Sequence, residues 1–245
     1  MIPLLYNRRI ATAFFFTALL SLTKPSHAQN SIGLEGGMSN NYLVTNISNR
    51  TSTIINSGRG FTANILLRHN LYRCLSAELM PGITRKSYSI NRTDSLAGVY
   101  ENFNNTYLQL PIAISLVYGR TLQVTMATGL YLGYWMTGRI KGKTPDVYSV
   151  TDSVSSSGQV LESFQLKSYD EKYTFNKHRD NRLETGWMLE AGIQYPITHQ
   201  YWVSAKARYY QALTDQQKDL TINQVPKYNQ TWTFTIGIFR MLDKK

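Results

Sequence analysis

The chain has a single cysteine, Cys74, among 245 residues. That excludes an internal disulfide framework and any zinc site with two Cys ligands. Proline is scarce, at 7 residues, and charged residues make up only 17%. Acids are outnumbered, 15 against 26 Lys and Arg, giving a formal net charge of +11. Beyond the first 28 residues there is no long hydrophobic run. This excludes a helical membrane protein but not a barrel, whose strands give a much weaker signal. What is present is apolar and aromatic: 42% hydrophobic residues, with 17 Tyr, 9 Phe, 4 Trp and 16 Gly. That is too apolar for a disordered chain and long enough for one domain with a sizeable core.

The first segment is an export signal by pattern. Arg8 and Arg9 precede an apolar run of 13 residues, 10–22, and Ser26-His27-Ala28 offers small residues at the cleavage-specifying positions. The run falls short of the ~20 apolar residues of a membrane-spanning helix. Residues 1–28 are expected to be a signal peptide cut after Ala28, and 29–245 to form one barrel domain.

The remainder alternates. Eight segments show period-2 hydrophobicity: 31–44, 60–69, 74–90, 106–118, 122–141, 182–197, 201–213 and 231–242, each the mark of a half-buried strand. In the fourth, Leu108, Leu110, Ile112, Ile114 and Leu116 share one face, with Gln109, Ala113 and Ser115 on the other. Connections near 70–73, 119–121 and 198–200 are of hairpin length. Those over 45–59, 91–105, 142–181 and 214–230 are long. Short turns at one end and long loops at the other describe an all-β, eight-stranded antiparallel up-and-down transmembrane barrel, with both termini on the periplasmic side. Alternation around Ser155-Ser156-Ser157-Gly158 predicts that the third loop carries a hairpin extending strands five and six, over 147–150 and 160–166.

Alternation alone does not say which face meets lipid, since a secreted, soluble lipocalin-like barrel is apolar inside. Aromatic placement decides for a membrane. On the apolar face, Tyr42, Phe61, Tyr134, Trp187, Tyr209 and Trp232 fall near the long-loop end, and Tyr118, Tyr195 and Tyr201 near the short-turn end. Two girdles around an aliphatic band are expected at bilayer interfaces. The opposite face carries Glu35, Arg68, Glu78, Lys86, Arg139, Glu184, Glu190, Lys206 and Arg208. These form the expected polar network of the lumen, with glycines such as Gly186, Gly192 and Gly237 making room for Tyr131, Trp135 and Tyr210. Eight strands leave an interior just wide enough for side chains, which argues against a diffusion pore.

Several stretches resemble a known family. They are Asn105-Thr106-Tyr107-Leu108-Gln109-Leu110-Pro111-Ile112, Gly129-Leu130-Tyr131-Leu132-Gly133-Tyr134, Asp180-Asn181-Arg182-Leu183-Glu184-Thr185-Gly186 with Gly192-Ile193-Gln194-Tyr195 after it, and Arg208-Tyr209-Tyr210. In order and spacing they resemble the small outer-membrane β-barrel family of Bacteroidetes, the PorT-like group, over nearly the whole mature chain. The resemblance implies a barrel in the cell outer membrane, with some relatives serving type IX (gliding-associated) protein secretion. This chain departs from the family in its long third loop and in Glu184, where the family usually has Asp.

Candidate chemistry is thin. No ligand spacing points to a metal, and no glycine-rich phosphate loop points to a nucleotide cofactor. The long loops hold equal numbers of basic and acidic residues, so the positive excess sits in strands, short turns and the tail, and no basic stripe suggests nucleic acid. His178-Arg179-Asp180 is the one grouping that could serve an enzyme acting on lipid or peptide at the rim. Adjacent residues point apart on an extended chain, however, so no catalytic residue is assigned. The expectation is a non-enzymatic, structural or protein-interaction barrel, monomeric, in contact with outer-membrane lipid and with other envelope or secretion proteins.

Overall fold

The computed structural model describes residues 30–45, 52–72, 74–154, 160–218 and 225–242. The expected signal peptide, the Ser155–Gly158 turn and the last three residues lie outside them. Ten strands follow in chain order: β1 Asn30–Thr45, β2 Thr53–Asn70, β3 Leu75–Leu79, β4 Gly82–Arg92, β5 Tyr100–Gly119, β6 Gln123–Val154, β7 Val160–Lys172, β8 Leu183–Pro196, β9 Tyr201–Ala212 and β10 Lys227–Leu242. Among the described residues a single 3-10 turn, Asp94–Leu96, lies between β4 and β5.

All the pairings are antiparallel. β1 pairs with both β2 and β10, β10 with β9, β9 with β8, and β8 with β6. β5 then links β6 back to β3 and β4, which both pair with β2. The ring is closed and has eight walls, because β3 and β4 are two halves of one wall strand. Their register on β2 runs from Leu67↔Leu79 to Asn64↔Gly82 without a shift. The interruption is at Met80 and Pro81, where proline has no N–H to give the ladder. Met80 N still donates to Pro111 O at 3.0 Å, and Ile65 N to Pro81 O at 2.9 Å.

The sidedness is inverted relative to a soluble barrel. Leu34 is 64% exposed and Ile236 73%, while Lys86 and Arg208 are both 0% exposed. A secreted lipocalin-like barrel would carry the opposite arrangement. The inner core combines Leu66, Met80, Tyr131, Met188, Tyr210 and Phe239 with the ionised groups. Gly186 shows how tightly it is packed: a Cβ there would lie 2.1 Å from Gln211 O and 2.6 Å from Tyr131 Cε1.

The strands are longer than their alternation suggests. About 9–11 tilted residues cross a bilayer, yet β5 has 20 residues and β6 has 32. The surplus stands above the membrane at the long-loop end. There β5 pairs with β6 up to Tyr100↔Lys143, and β6 pairs with β7 from Arg139↔Lys172 through Val154↔Val160. The expected hairpin of the third loop is therefore present and reaches further toward the barrel than its sequence pattern indicates. The first two long loops shrink correspondingly, to the residues between β1 and β2 and between β4 and β5.

Candidate functional site

The lumen is filled by two charge clusters. In one, Arg208 is held between Glu190 and Glu35. Lys206 Nζ sits 3.0 Å from Glu35 Oε1, 3.1 Å from Glu190 Oε1 and 3.4 Å from Glu78 Oε2. Arg68 Nε donates to Glu78 Oε1 at 2.9 Å, and its Nη1 to Gln194 Oε1 at 2.9 Å. In the other, Lys86 pairs with Glu184. The same carboxylate accepts from Tyr131 Oη at 2.9 Å and from Asn229 Nδ2 at 2.6 Å. Asn229 Oδ1 accepts from Asn41 Nδ2 at 3.0 Å, and Asn41 Oδ1 from Thr231 Oγ1 at 2.7 Å. Four bases meet four acids here, as buried charges require, since an unpaired one is costly to bury.

Of the expected lumen residues, Glu35, Arg68, Glu78, Lys86, Glu184, Glu190, Lys206 and Arg208 are all inside. Arg139 is not, and its assignment is corrected. It projects above the barrel with its side chain 58% exposed, its Nε 2.5 Å from Asp170 Oδ1 on β7. The cause is a one-residue bulge at Met136, where the β5–β6 register shifts between Thr106 and Tyr107. A one-residue offset turns every later side chain to the other face, so Gly138 is buried and Arg139 faces out.

Above the charges the mouth is capped. Trp135 stacks between Tyr107, with ring centroids 5.9 Å apart, and Tyr173 at 5.0 Å, and Phe175 meets it edge-on at 4.9 Å. Gln216 Nε2 donates to the buried Tyr107 hydroxyl at 3.1 Å. The two loops above are tied together by Asn181 N to Gln216 O at 2.9 Å and Lys218 N to Arg179 O at 2.8 Å. Asp180 organises this cap. It is buried and accepts from Tyr173 Oη at 2.9 Å, Asn176 N at 2.8 Å and Arg179 Nε at 3.2 Å. Partial burial and the neighbouring Asp180 carboxylate raise the Tyr173 phenol above its usual pKa, which keeps it a donor. Asp180 is thus engaged in holding a loop, and exposed His178 is not among its partners. A general base needs an oriented neighbour, and this pair supplies none. Among the described residues no group of His, Cys, Asp and Glu could hold a metal ion.

The nine expected interface aromatics all project from the outer wall. Trp187, Tyr209 and Trp232 make a continuous belt over β8, β9 and β10, with successive centroids 5.5 and 5.0 Å apart. Tyr118, at the opposite end, is 85% exposed. Three cations join the girdles: Arg182 over Tyr134 at 4.5 Å, Arg85 over Phe61 at 5.5 Å, and Arg240 over Tyr201 at 5.8 Å. The cap residues Tyr173, Phe175 and Gln216 escaped the sequence reading, because they lie in loops beyond the alternating strands.

No match was found among the curated proteins. Among solved structures the chain is similar to OprG of Pseudomonas aeruginosa, at 10% identity over 88% of this chain and 97% of that one, with a TM-score of 0.46. It is similar to Ail of Yersinia pestis, solved with the heparin analogue sucrose octasulfate, at 13% identity over 86% and 99%, with a TM-score of 0.36. It is also similar to the outer membrane protease OmpT of Escherichia coli, at 10% identity over 88% and 96%, with a TM-score of 0.40. Residues 27–217 match the family model described as the outer membrane protein beta-barrel domain, and the chain belongs to this family of outer-membrane barrels.

Proposed function

We propose that this outer-membrane protein is a non-enzymatic barrel whose extracellular sheet contacts other envelope proteins. One observation carries the reading. The lumen is filled by paired charges and capped by aromatics, whereas β5, β6 and β7 continue above the girdle as an arm. Within the described residues β7 pairs only with β6, leaving its other edge open. An open edge offers backbone donors and acceptors to a partner strand. Exposed Lys167, Asp170, Glu171 and Lys172 along it would reject unselected strands and favour a charge-matched one. The PorT-like resemblance makes a component of type IX secretion a natural partner, and residues 1–28 are read as the signal that exports the chain.

The test uses the register pair Pro145↔Leu166. Replacing residues 146–165 with a two-residue turn shortens the arm without touching the wall. A photo-crosslinker at Lys167 in the full-length protein, in intact cells, should capture a defined envelope protein. The shortened variant should still show the mobility shift of a folded barrel on boiling but lose that partner. An arm that crosslinks to nothing, or a partner set unchanged by the deletion, refutes the reading.

A further inference from the structure

On the outer wall, β2 and β4 hold a feature that the filled lumen does not explain. Their register shifts between Gly58 and Thr62, so that residues 59–61 stand opposite only two residues of β4. Such bulges re-aim side chains. This one is bracketed by glycines that nothing larger could replace. A Cβ on Gly58 would lie 2.6 Å from the Ser87 carbonyl carbon, and one on Gly60 would lie 2.3 Å from Arg85 O. Ser39 Oγ donates to that same Arg85 carbonyl at 2.5 Å, fixing β4 at the bulge. Beside the bulge Arg59, Phe61 and Arg85 keep the outward phase of the wall below and project together from the membrane-facing surface.

Among the described residues neither arginine is in an ion pair, and Arg85 Nε is buried without a hydrogen-bond partner. Their height is set by register. Asn40 on β1 pairs with Arg59 on one side and with Trp232 on the other, so the arginines continue the Trp187–Tyr209–Trp232 belt. That is the headgroup level of the outer leaflet. Directly below, a groove of about 470 Å³ is lined by Leu34, Ala63, Ile65, Pro81, Ile83 and Leu108. Ala63 and Ile83 each lie two residues below Phe61 and Arg85 on the same face. The groove exists because Ala63 is small where its outward neighbours on β2 are Phe61 and Ile65, and because the wall strand is interrupted at Pro81.

We propose that Arg59 and Arg85 bind the phosphate of an outer-leaflet lipid whose acyl chain lies in this groove. A guanidinium matches phosphate oxygens with parallel N–H donors. Two of them on neighbouring strands suit a doubly charged phosphate monoester. The apolar slot beneath selects a ligand that brings its own hydrocarbon, which identifies the occupant as a lipid.

The test titrates the detergent-solubilised protein with monophosphoryl lipid A, its dephosphorylated counterpart or inorganic phosphate, and counts adducts by native mass spectrometry. The wild type should retain monophosphoryl lipid A in preference to both other probes. Arg59→Gln with Arg85→Gln should weaken it by about 30-fold, from about 1 kcal/mol per cation near a charged surface. Ala63→Phe, which fills the groove, should also weaken the lipid while leaving any inorganic phosphate binding unchanged. The mobility shift on boiling confirms that each variant is folded. Should the double variant not fold, Arg59→Gln alone should cost about 5-fold by the same reasoning. Equal retention of the two lipids, undiminished affinity in the arginine variants, or inorganic phosphate binding as tightly as the lipid overturns the proposal.

Discussion

Glu184→Gln probes the lumen most directly. Lys86 is wholly buried, and Glu184 is the acid that pairs with it. The substitution keeps the side chain's shape and one acceptor oxygen but removes the charge. It also turns an NH2 group toward donors, since Tyr131 Oη and Asn229 Nδ2 both give hydrogen bonds to that carboxylate. Lys86 retains its rings, Tyr107 at 4.9 Å and Tyr131 at 5.3 Å. Those contacts exist before and after the change and so offset nothing. Removing one partner of a buried pair costs about 3–5 kcal/mol, a large share of the ~5–15 kcal/mol that holds a typical protein together. Urea unfolding in lipid vesicles, followed by the fluorescence of Trp135 and its neighbours, should show a loss of that size. Lys86→Met combined with Glu184→Gln removes both charges and should recover most of it, giving a coupling of about 3 kcal/mol in a double-mutant cycle. A loss below about 1 kcal/mol in Glu184→Gln, or a double variant as unstable as the sum of its parts, would refute the account of the lumen as a set of obligatory pairs.

Other expectations follow from the same structure. Gly186→Ala forces a methyl group against the Gln211 carbonyl and the Tyr131 ring, so the unfolding midpoint should fall by the equivalent of about 1–3 kcal/mol; an unchanged midpoint contradicts the packing. Asp170 is held below its ordinary pKa by hydrogen bonds from Lys141 and Arg139. A lowered carboxylate stabilises above its unfolded value of 3.8 and releases that stability as pH falls toward its folded one. Protection of the β6 and β7 amides, taken relative to the intrinsic exchange rate at each pH, should therefore fall below about pH 4 in the wild type, whereas Asp170→Asn should show the lower protection at neutral pH too. Equal protection in the two proteins at neutral pH would count against the bridge. In planar bilayers the capped, filled lumen should give no stable conductance steps, and regular single-channel openings would mean that the cap is not closed.

The sequence revealed the wall of this barrel and not its upper storey, for one physical reason. Alternation is a signal of two different solvents on the two faces of a strand. Between the girdles those are lipid and a packed polar interior, so Leu108 through Leu116 could be read without ambiguity. Above the girdles both faces meet water or polar neighbours, and Tyr100 to Asn105 carries no such pattern although it is paired strand. The start of β2 at Thr53 was hidden in the same way. Arg139 fails for a different reason. A strict period-2 count from Gly129 through Trp135 places it inside, and a single bulge at Met136 reverses the phase. Nothing in the local composition announces that extra residue. The cap was illegible because its contacts join residues from β5, β6 and two loops.

The fate of the positive charge separates two kinds of arginine. Arg68, Lys86, Lys206 and Arg208 are matched inside by Glu35, Glu78, Glu184 and Glu190, so the lumen is neutral and the excess of base over acid lies elsewhere. Arg139 and Lys141 share Asp170 on the arm, and Arg182 donates to the carbonyls of Trp135 and Met136. Arg59, Arg85 and Arg240 remain on the outer wall, at its two interfaces. The interior must balance within itself because no counterion reaches it, and each unpaired charge there bears directly on stability. The exterior is under no such constraint, because lipid phosphates at headgroup level can balance it. Neutralising an inner base should therefore destabilise the barrel in any lipid. Neutralising Arg59 or Arg85 should leave stability in a zwitterionic bilayer nearly unchanged and alter it only where anionic lipid is present.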